Sequence, residues 1–376
     1  VSRPRIFLSA GEPSGDMHGA RVAAALYARF PDAELYGLGG DRMRAAGVAL
    51  LAHVDQLAVM GFAEVARHLP YLVGVMRRVR GELAVRRPDL LIPIDYPGFN
   101  LRLAKHARRA GIPVLYYIAP QVWAWHRSRV LQLAKYTDRI AVILPFEEQV
   151  LAAAGARVAF VGHPLLDQPP PSHDRATFAA ALGIDASSPV LALFPGSRTQ
   201  EVRRQLDTFA AAAEVVVRAA PTVQPVLAVS SAVPAALYAG MRCPRTDDGW
   251  TLLHHARAAL VKSGTGTLQA AFAGTPLVVT YRVHPLSYVL AKRLVRVPHV
   301  GLVNLVTGER VAPELLQADA TPGRLAAALL PLLDEASPER AHALAGLARV
   351  RAALAPPVPG VSVAERVAEL AAELIG

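Results

Sequence analysis

Cysteine is nearly missing from this 376-residue chain: Cys243 stands alone. One thiol excludes an internal disulfide and any metal cage built from cysteines, and it fits a reducing compartment. The histidines form neither H-x-x-x-H nor H-E-x-x-H. No catalytic metal is expected, and no cofactor. Arg, Pro, Asp or Gly interrupts every apolar run before it reaches spanning length. The opening Val1-Ser2-Arg3-Pro4 leads straight into a strand-like run, without a signal-peptide core. A cytoplasmic location is the expectation, and composition leaves contact with a membrane surface open. Aromatic residues make up 6%, and only four lysines occur, Lys105, Lys135, Lys262 and Lys292. The net charge of +10 therefore rests on arginines spread along the chain. A nucleic-acid binder would cluster that charge and interleave it with aromatics, which argues against that class. Phosphorylated substrates or an anionic membrane surface suit the basic balance.

What is abundant is apolar side chain, at 53%, enough for a globular protein, and the length suggests two domains. Strand-like and helix-like segments alternate almost throughout. Expected strands are Arg5–Ala10, Glu34–Gly39, Leu90–Ile94, Val114–Ile118, Ile140–Leu144 and Val158–Val161. After the proline run Gln168-Pro169-Pro170-Pro171-Ser172, read as a linker, the alternation restarts. Strands are expected there at Val190–Phe194, Val226–Val229, Ala258–Val261 and Leu277–Tyr281. A second break, Pro356-Pro357-Val358-Pro359-Gly360, precedes a terminal helix near Val363–Leu374. Short apolar strands separated by helices imply α/β architecture with doubly wound parallel sheets. A ligand cleft is expected where the carboxyl ends of two such sheets face each other.

Two glycine-hinged turns carry the strongest chemical signal. Phe194-Pro195-Gly196-Ser197-Arg198 follows one strand and Lys262-Ser263-Gly264-Thr265-Gly266-Thr267 follows another, and each opens a helix. Glycine lets backbone approach a ligand, and a helix start offers unpaired N–H groups with partial positive charge. Two such starts suit a diphosphate. Arg198 can fork onto phosphate oxygens; the plainer reading pairs it with Glu201 on the surface. Ser197 and Gln200 also fit a capping box, and Thr265 or Thr267 fits a helix cap.

Asp95 ends the buried run Leu90–Ile94, where a carboxylate suits a general base against a substrate hydroxyl; the plainer reading is a carboxylate that caps the next helix. Asn100 reads as the N-cap of a helix over Leu101–Ala110. The opening turn Gly11-Glu12-Pro13-Ser14-Gly15-Asp16 lacks the Walker lysine and G-x-G-x-x-G spacing. Its plain role is capping by Ser14, and its sharper role is contact with a second substrate. An apolar stripe at helical spacing, Phe62, Val65, Leu69, Leu72, Val73 and Met76, is flanked by Arg67, Arg77, Arg78 and Arg80. Such stripes are usually core, and the arginines keep a membrane or acyl-chain role open. His163 suits either the cleft or a backbone hydrogen bond.

Together these segments resemble bacterial lipid-A-disaccharide synthase over nearly the whole chain. The resemblance is carried by Ala10–Asp16, Leu57-Ala58-Val59-Met60-Gly61, Ile94–Asn100, Ala119-Pro120-Gln121-Val122-Trp123-Ala124-Trp125, Leu144–Glu147, Val161–Pro164, Pro195–Arg198, Ser263–Thr265, Ala291–Leu294 and Asn304-Leu305. It implies a glycosyltransferase of the GT-B type, with two facing domains and a C-terminal helix returning to the first. Residues 1–167 plus about 361–376 would bind acceptor, and 173–355 would bind the UDP-sugar. The donor would be UDP-2,3-diacylglucosamine and the acceptor 2,3-diacylglucosamine 1-phosphate. They would give the β-1,6-linked disaccharide and UDP by single displacement with inversion. The protein would act as a peripheral protein at the inner face of the cytoplasmic membrane. Asp95 would be a lone base. Gly196, Ser197, Arg198, Ser263, Gly264, Thr265, Thr267, Gln269 and Asn304 would hold the donor. Glu12, Ser14, Gly15, Asp16, Met60 and Phe62 would hold the acceptor. Relatives usually carry glutamate where Gln269 stands, so a charge-assisted bond to ribose would be lost here. The competing reading is another UDP-sugar enzyme of the same fold, an epimerase or a cell-wall sugar transferase.

Overall fold

The computed structural model of the chain describes residues 3–57, 62–120, 127–282 and 299–376; at 62–68 and 127–128 it describes backbone alone. Met60, the segment Trp123–Trp125 and Lys292 lie outside these residues, as do the side chains of Phe62 and Val65. Two compact units form, one from Val1–Asp167 with Leu354–Gly376 and one from Gln168–Ala353.

The first unit holds a seven-stranded, all-parallel sheet in the order β3-β2-β1-β4-β5-β6-β7 among the described residues. Its strands are β1 (Arg5–Ala10), β2 (Glu34–Gly39), β3 (Ala49–His53), β4 (Leu90–Ile94), β5 (Leu115–Tyr117), β6 (Arg139–Val142) and β7 (Val158–Phe160). Helices α1 (Pro13–Arg29), α2 (Asp41–Ala45), α3 (Phe62–Arg86), α4 (Pro97–Arg109), α5 (Arg127–Tyr136) and α6 (Pro145–Ala152) connect them. β1 and β4 are buried along almost their whole length, as strands covered on both faces must be.

Among the described residues the second unit holds a six-stranded parallel sheet in the order β10-β9-β8-β11-β12-β13. Its strands are β8 (Val190–Phe194), β9 (Gln224–Ala228), β10 (Arg245–Thr246), β11 (Ala258–Lys262), β12 (Leu277–Tyr281) and β13 (Glu314–Leu316). Its helices are α7 (Arg175–Leu182), α8 (Thr199–Ala219), α9 (Gly249–His255), α10 (Thr265–Ala273), α11 (Leu302–Thr307), α12 (Pro322–Leu333) and α13 (Pro338–Ala353). The final helix, α14 (Val363–Ile375), belongs to the first unit. Ser362 and Glu365 form a reciprocal capping box at its start. Val363, Val367, Leu370 and Ala371 then fall on one stripe and join the core that α1 shares with β1 and β4.

Strand order reverses between β1 and β4 in one sheet, and between β8 and β11 in the other. In open α/β sheets ligands bind outside the carboxyl ends of strands at such switch points. The register pairs Ala10 with Ile94, so Gly11-Glu12 emerges beside Asp95. It pairs Phe194 with Val261, so the two glycine turns emerge side by side.

Several local expectations are corrected. Helix α4 begins at Pro97, not after Asn100, because proline at the first helical position has its φ preset and no N–H to satisfy. No Ser197–Gln200 capping box forms: Arg198 holds the N-cap position, and the Glu201 carboxylate receives the Ser197 N–H instead. Ser14 caps nothing, since α1 starts at Pro13 with Glu12 at its N-cap. The proline run 168–172 is pinned to α9: Trp250 Nε1 donates to the Pro169 carbonyl (2.9 Å) and the Ser172 N–H donates to Thr251 Oγ1 (3.1 Å). Along α3, Leu72, Val75, Met76, Val79 and Leu83 pack into core, whereas Leu69 and Val73 from the expected stripe are exposed.

Candidate active site

In the first unit the chain leaves β4 through two successive left-handed residues, Asp95 (φ +47°) and Tyr96 (φ +48°). Neither is glycine, so each conformation costs about 1–2 kcal/mol and needs support. The support is visible. The Asp95 N–H donates to the Tyr117 carbonyl (3.0 Å). Its carbonyl accepts from Asn100 Nδ2 and from the Tyr116 hydroxyl, both at 2.8 Å. Tyr96 donates its hydroxyl to the Leu57 carbonyl (2.8 Å). Its ring lies over Gly11, where an added Cβ would sit 2.1 Å from a ring carbon. Gly11 is therefore demanded by close approach of the tyrosine.

Asn100 is fully buried and ties the two central strand ends together. Its Oδ1 accepts from the Ser9 hydroxyl (2.7 Å), and its Nδ2 also donates to the Ser9 carbonyl (3.0 Å). With its backbone clamped, the Asp95 carboxyl is held in a partly buried position. Burial, and secondarily the negative charge of Glu12, push its pKa up to about 6, against a smaller opposing hydrogen bond from the Tyr96 N–H. Glu12 at the start of α1 thus adds to burial in making Asp95 a better proton acceptor. A base titrating near neutrality suits general-base chemistry.

The other acceptor candidates divide. Glu12 and Ser14 are exposed at the start of α1. Gly15 is buried, and an added Cβ would press on Ala10 at 3.2 Å, so it serves packing. Asp16 is spent on scaffolding. Its carboxylate accepts from the N–H groups of Gly40 (2.6 Å), Met43 (3.0 Å) and Arg42 (3.1 Å), capping α2. His163 is buried, its N–H donates to the Leu354 carbonyl, and its Nδ1 accepts from the Leu165 N–H. Burial, and then neighbouring His18, push its pKa down to about 3, so it is neutral.

In the second unit a pocket of about 400 Å³ opens at the switch point. Gly196, Ser197, Ser263, Gly264, Thr265, Gly266 and Gln269 line it, so both glycine turns contribute. Gly196 (φ +126°) and Gly264 (φ +146°) adopt backbone that only glycine takes readily. Asp247, Asp248 and Trp250 from the start of α9 line it too, together with Glu201 and Lys262. Sequence reading assigned none of these five a ligand role. The lysine at a strand's carboxyl end was the available signal for one of them.

Three donor candidates do not line this pocket. Thr267 is fully buried and donates to the Gly264 carbonyl (2.8 Å), bracing the turn from within. Arg198 has a side chain 72% exposed, with Nη1 3.9 Å from Glu201 Oε1. Asn304 is fully buried. Its Oδ1 accepts from the Ala312 N–H (2.9 Å), and its Nδ2 donates to the Ala312 carbonyl (2.9 Å) and to Glu314 Oε1 (2.8 Å). Glu314 in turn accepts from the N–H groups of Val300 and Gly301. The Val300 carbonyl receives the Ser263 hydroxyl (2.9 Å), which commits that hydroxyl. Asn304 therefore stands two steps behind the second glycine turn as a brace, where direct donor contact had been expected.

Known proteins share the family and the two-sheet fold of this chain. A family model described as lipid-A-disaccharide synthetase matches residues 6–353. The lipid-A-disaccharide synthase of Acidobacterium capsulatum is 43% identical, covering 100% of this chain and 97% of that protein. That of Geobacter metallireducens is 40% identical, covering 99% and 97%. Among solved structures, the glycotransferase of kitacinnamycin superposes with a TM-score of 0.65 at 18% identity, covering 100% of both chains. The UDP-GlcNAc 2-epimerase of Neisseria meningitidis, bound to UDP-GlcNAc, superposes at 0.62 with 8% identity, covering 98% of each. At such identities these two structures speak for the fold alone.

Proposed function

The chain belongs to the lipid-A-disaccharide synthase family, and from that premise we propose how its residues divide the work. UDP-2,3-diacylglucosamine is the donor and 2,3-diacylglucosamine 1-phosphate the acceptor. The product is the β-1,6-linked disaccharide, released with UDP. The first unit takes the acceptor and the second takes the nucleotide sugar. Asp95 accepts the proton of the acceptor 6-hydroxyl as that oxygen attacks the anomeric carbon. UDP departs from the opposite face in one displacement, which inverts the configuration. The negative charge growing on the diphosphate falls on the starts of α8 and α10 and on Arg198. Gln269 meets the ribose hydroxyls with neutral hydrogen bonds. Glu12 and Ser14 lie where the acceptor sugar would rest.

The observation that carries this reading is the Asp95 carboxyl: clamped at a switch point, with a pKa raised to about 6. Among the described residues no helix is long and apolar enough to cross a membrane. The outer side of α3 exposes Leu69, Val73 and Val85 near Arg77, Arg78 and Arg80. That mixture supports peripheral binding to an anionic membrane face, where acylated substrates reside.

The test is Asp95→Ala. Turnover is expected to vanish while UDP affinity, measured by calorimetry, stays within about twofold, because the donor pocket lies in the other unit. Near-normal turnover in that variant contradicts the assignment of the base. Turnover of unacylated UDP-sugars in preference to acylated ones would favour another UDP-sugar enzyme of this architecture.

A further inference from the structure

The donor pocket has an unusual charge balance. Of the described residues lining it, Lys262 alone is basic, while Glu201, Asp247 and Asp248 are acidic. Arg198, the cation that sequence reading selects for the diphosphate, is largely in solvent and outside the lining. A diphosphate entering such a pocket meets three carboxylates, which the helix dipoles, the glycine N–H groups and Arg198 reaching in from outside the lining must offset unless an ammonium helps.

Lys262 is placed for that task. It is the last residue of β11, its neighbour Ser263 opens the second glycine turn, and a Cβ on Gly264 would lie 3.6 Å from its Nζ. Its side chain is only 16% exposed, and its Nζ lies 5.4 Å from the centroid of the Tyr281 ring. Its Nζ donates to Glu201 Oε1 at 2.8 Å, and Glu201 is itself only 19% exposed. The other oxygen of Glu201 accepts from the Ser197 N–H (3.3 Å) and would lie 2.7 Å from a Cβ on Gly196. One internal carboxylate thus touches both the ammonium and the first glycine turn, the groups an incoming phosphate would use. It behaves as a built-in stand-in for an anion.

We propose that Lys262 receives the donor's diphosphate, and that Glu201 is its resting counter-ion, released from the ammonium when the diphosphate enters. This rests on reading the pocket as the UDP-sugar site. The ion pair keeps a poorly solvated lysine compensated before substrate arrives. Exchange of one carboxylate for a multiply charged diphosphate then favours binding, and continues to favour the leaving group as its charge grows.

The experiment measures UDP by calorimetry and uridine by NMR titration, on wild type, Lys262→Met, Lys262→Arg and the double variant Lys262→Met/Glu201→Gln. The double variant removes both charges, so that no carboxylate is left buried without a partner. Loss of a charge-assisted contact is expected to weaken UDP binding in Lys262→Met by about ten- to a hundredfold. Uridine, which has no phosphate, should bind as in wild type. Lys262→Arg should recover most of the affinity, and the double variant should fall between Lys262→Met and wild type. If UDP binds Lys262→Met as tightly as wild type, the role of Lys262 is refuted while the pocket reading stands. Equal weakening of UDP and uridine would mean a purely structural lysine and also refutes it. If wild type binds no UDP, the pocket reading fails and the proposal with it.

Discussion

Replacing Asp95 with asparagine should make the protein more stable while it abolishes turnover. The folded pKa of Asp95 is about 6 against an ordinary 3.8, raised chiefly by burial and next by Glu12. Between those values the folded state holds a proton that the unfolded state releases. Stability therefore falls as pH rises through that window. Roughly two units correspond to about 3 kcal/mol of strain above about pH 7, with about half of it present near pH 5 and almost none below about pH 4. Partial exposure of the carboxyl reduces this, so a gain of about 1–3 kcal/mol is expected near pH 8. Asparagine suits the site because it tolerates left-handed backbone and keeps an oxygen for the Tyr96 N–H. Urea unfolding followed by circular dichroism, at about pH 5 and about pH 8, reads the difference between variant and wild type. A gain at the higher pH that shrinks at the lower supports the reasoning. Loss of stability at about pH 8, or a gain independent of pH, would refute it.

The same carboxyl governs the rate. kcat/KM should fall on acidification with an apparent pKa near 6, and Glu12→Gln should move that limb to lower pH by removing a like charge; an unmoved limb would remove Glu12 from the account. Asn304→Ala should cost about 2–4 kcal/mol in thermal denaturation, because it strands the Ala312 N–H and takes a donor from Glu314. Its loosening of the turn at Ser263 should appear as a raised donor KM, and unchanged melting would show the brace to be dispensable. Arg198→Ala should weaken UDP binding by about tenfold and slow turnover, whereas unchanged UDP affinity would leave Arg198 as a surface residue paired with Glu201.

Much of this was legible in the bare chain, for identifiable reasons. Buried parallel strands are continuous apolar runs, so β1, β2, β4, β8 and β12 have the ends that their sequence pattern predicts. Three of the four edge strands in the described sheets have no such signal, β7 being the exception: β10 has two residues, β13 has three, and β3 is half exposed with an irregular register. Short, wet segments lack the pattern that burial imposes. Asp95 was visible because a carboxylate ends an apolar run, and the glycine turns because each follows a strand and opens a helix. The supporting polar residues were not separable from ligand contacts. Asp16 meets partners 24 to 27 residues away, and Asn304 meets Ala312 and Glu314 across a loop. Whether an amide or carboxylate faces ligand or backbone is decided by the fold, not by neighbours in sequence. Lys262 and Glu201 were hidden likewise, since 61 positions separate the two halves of their ion pair.

Mass spectrometry of the products formed from UDP-2,3-diacylglucosamine and 2,3-diacylglucosamine 1-phosphate tests the central claim most directly. The account predicts one new species carrying both acylated sugars and a single phosphate, formed in step with UDP and missing when Asp95→Ala replaces the wild-type protein. Free UDP without a disaccharide, an isomerised UDP-sugar, or undiminished disaccharide from Asp95→Ala would contradict it.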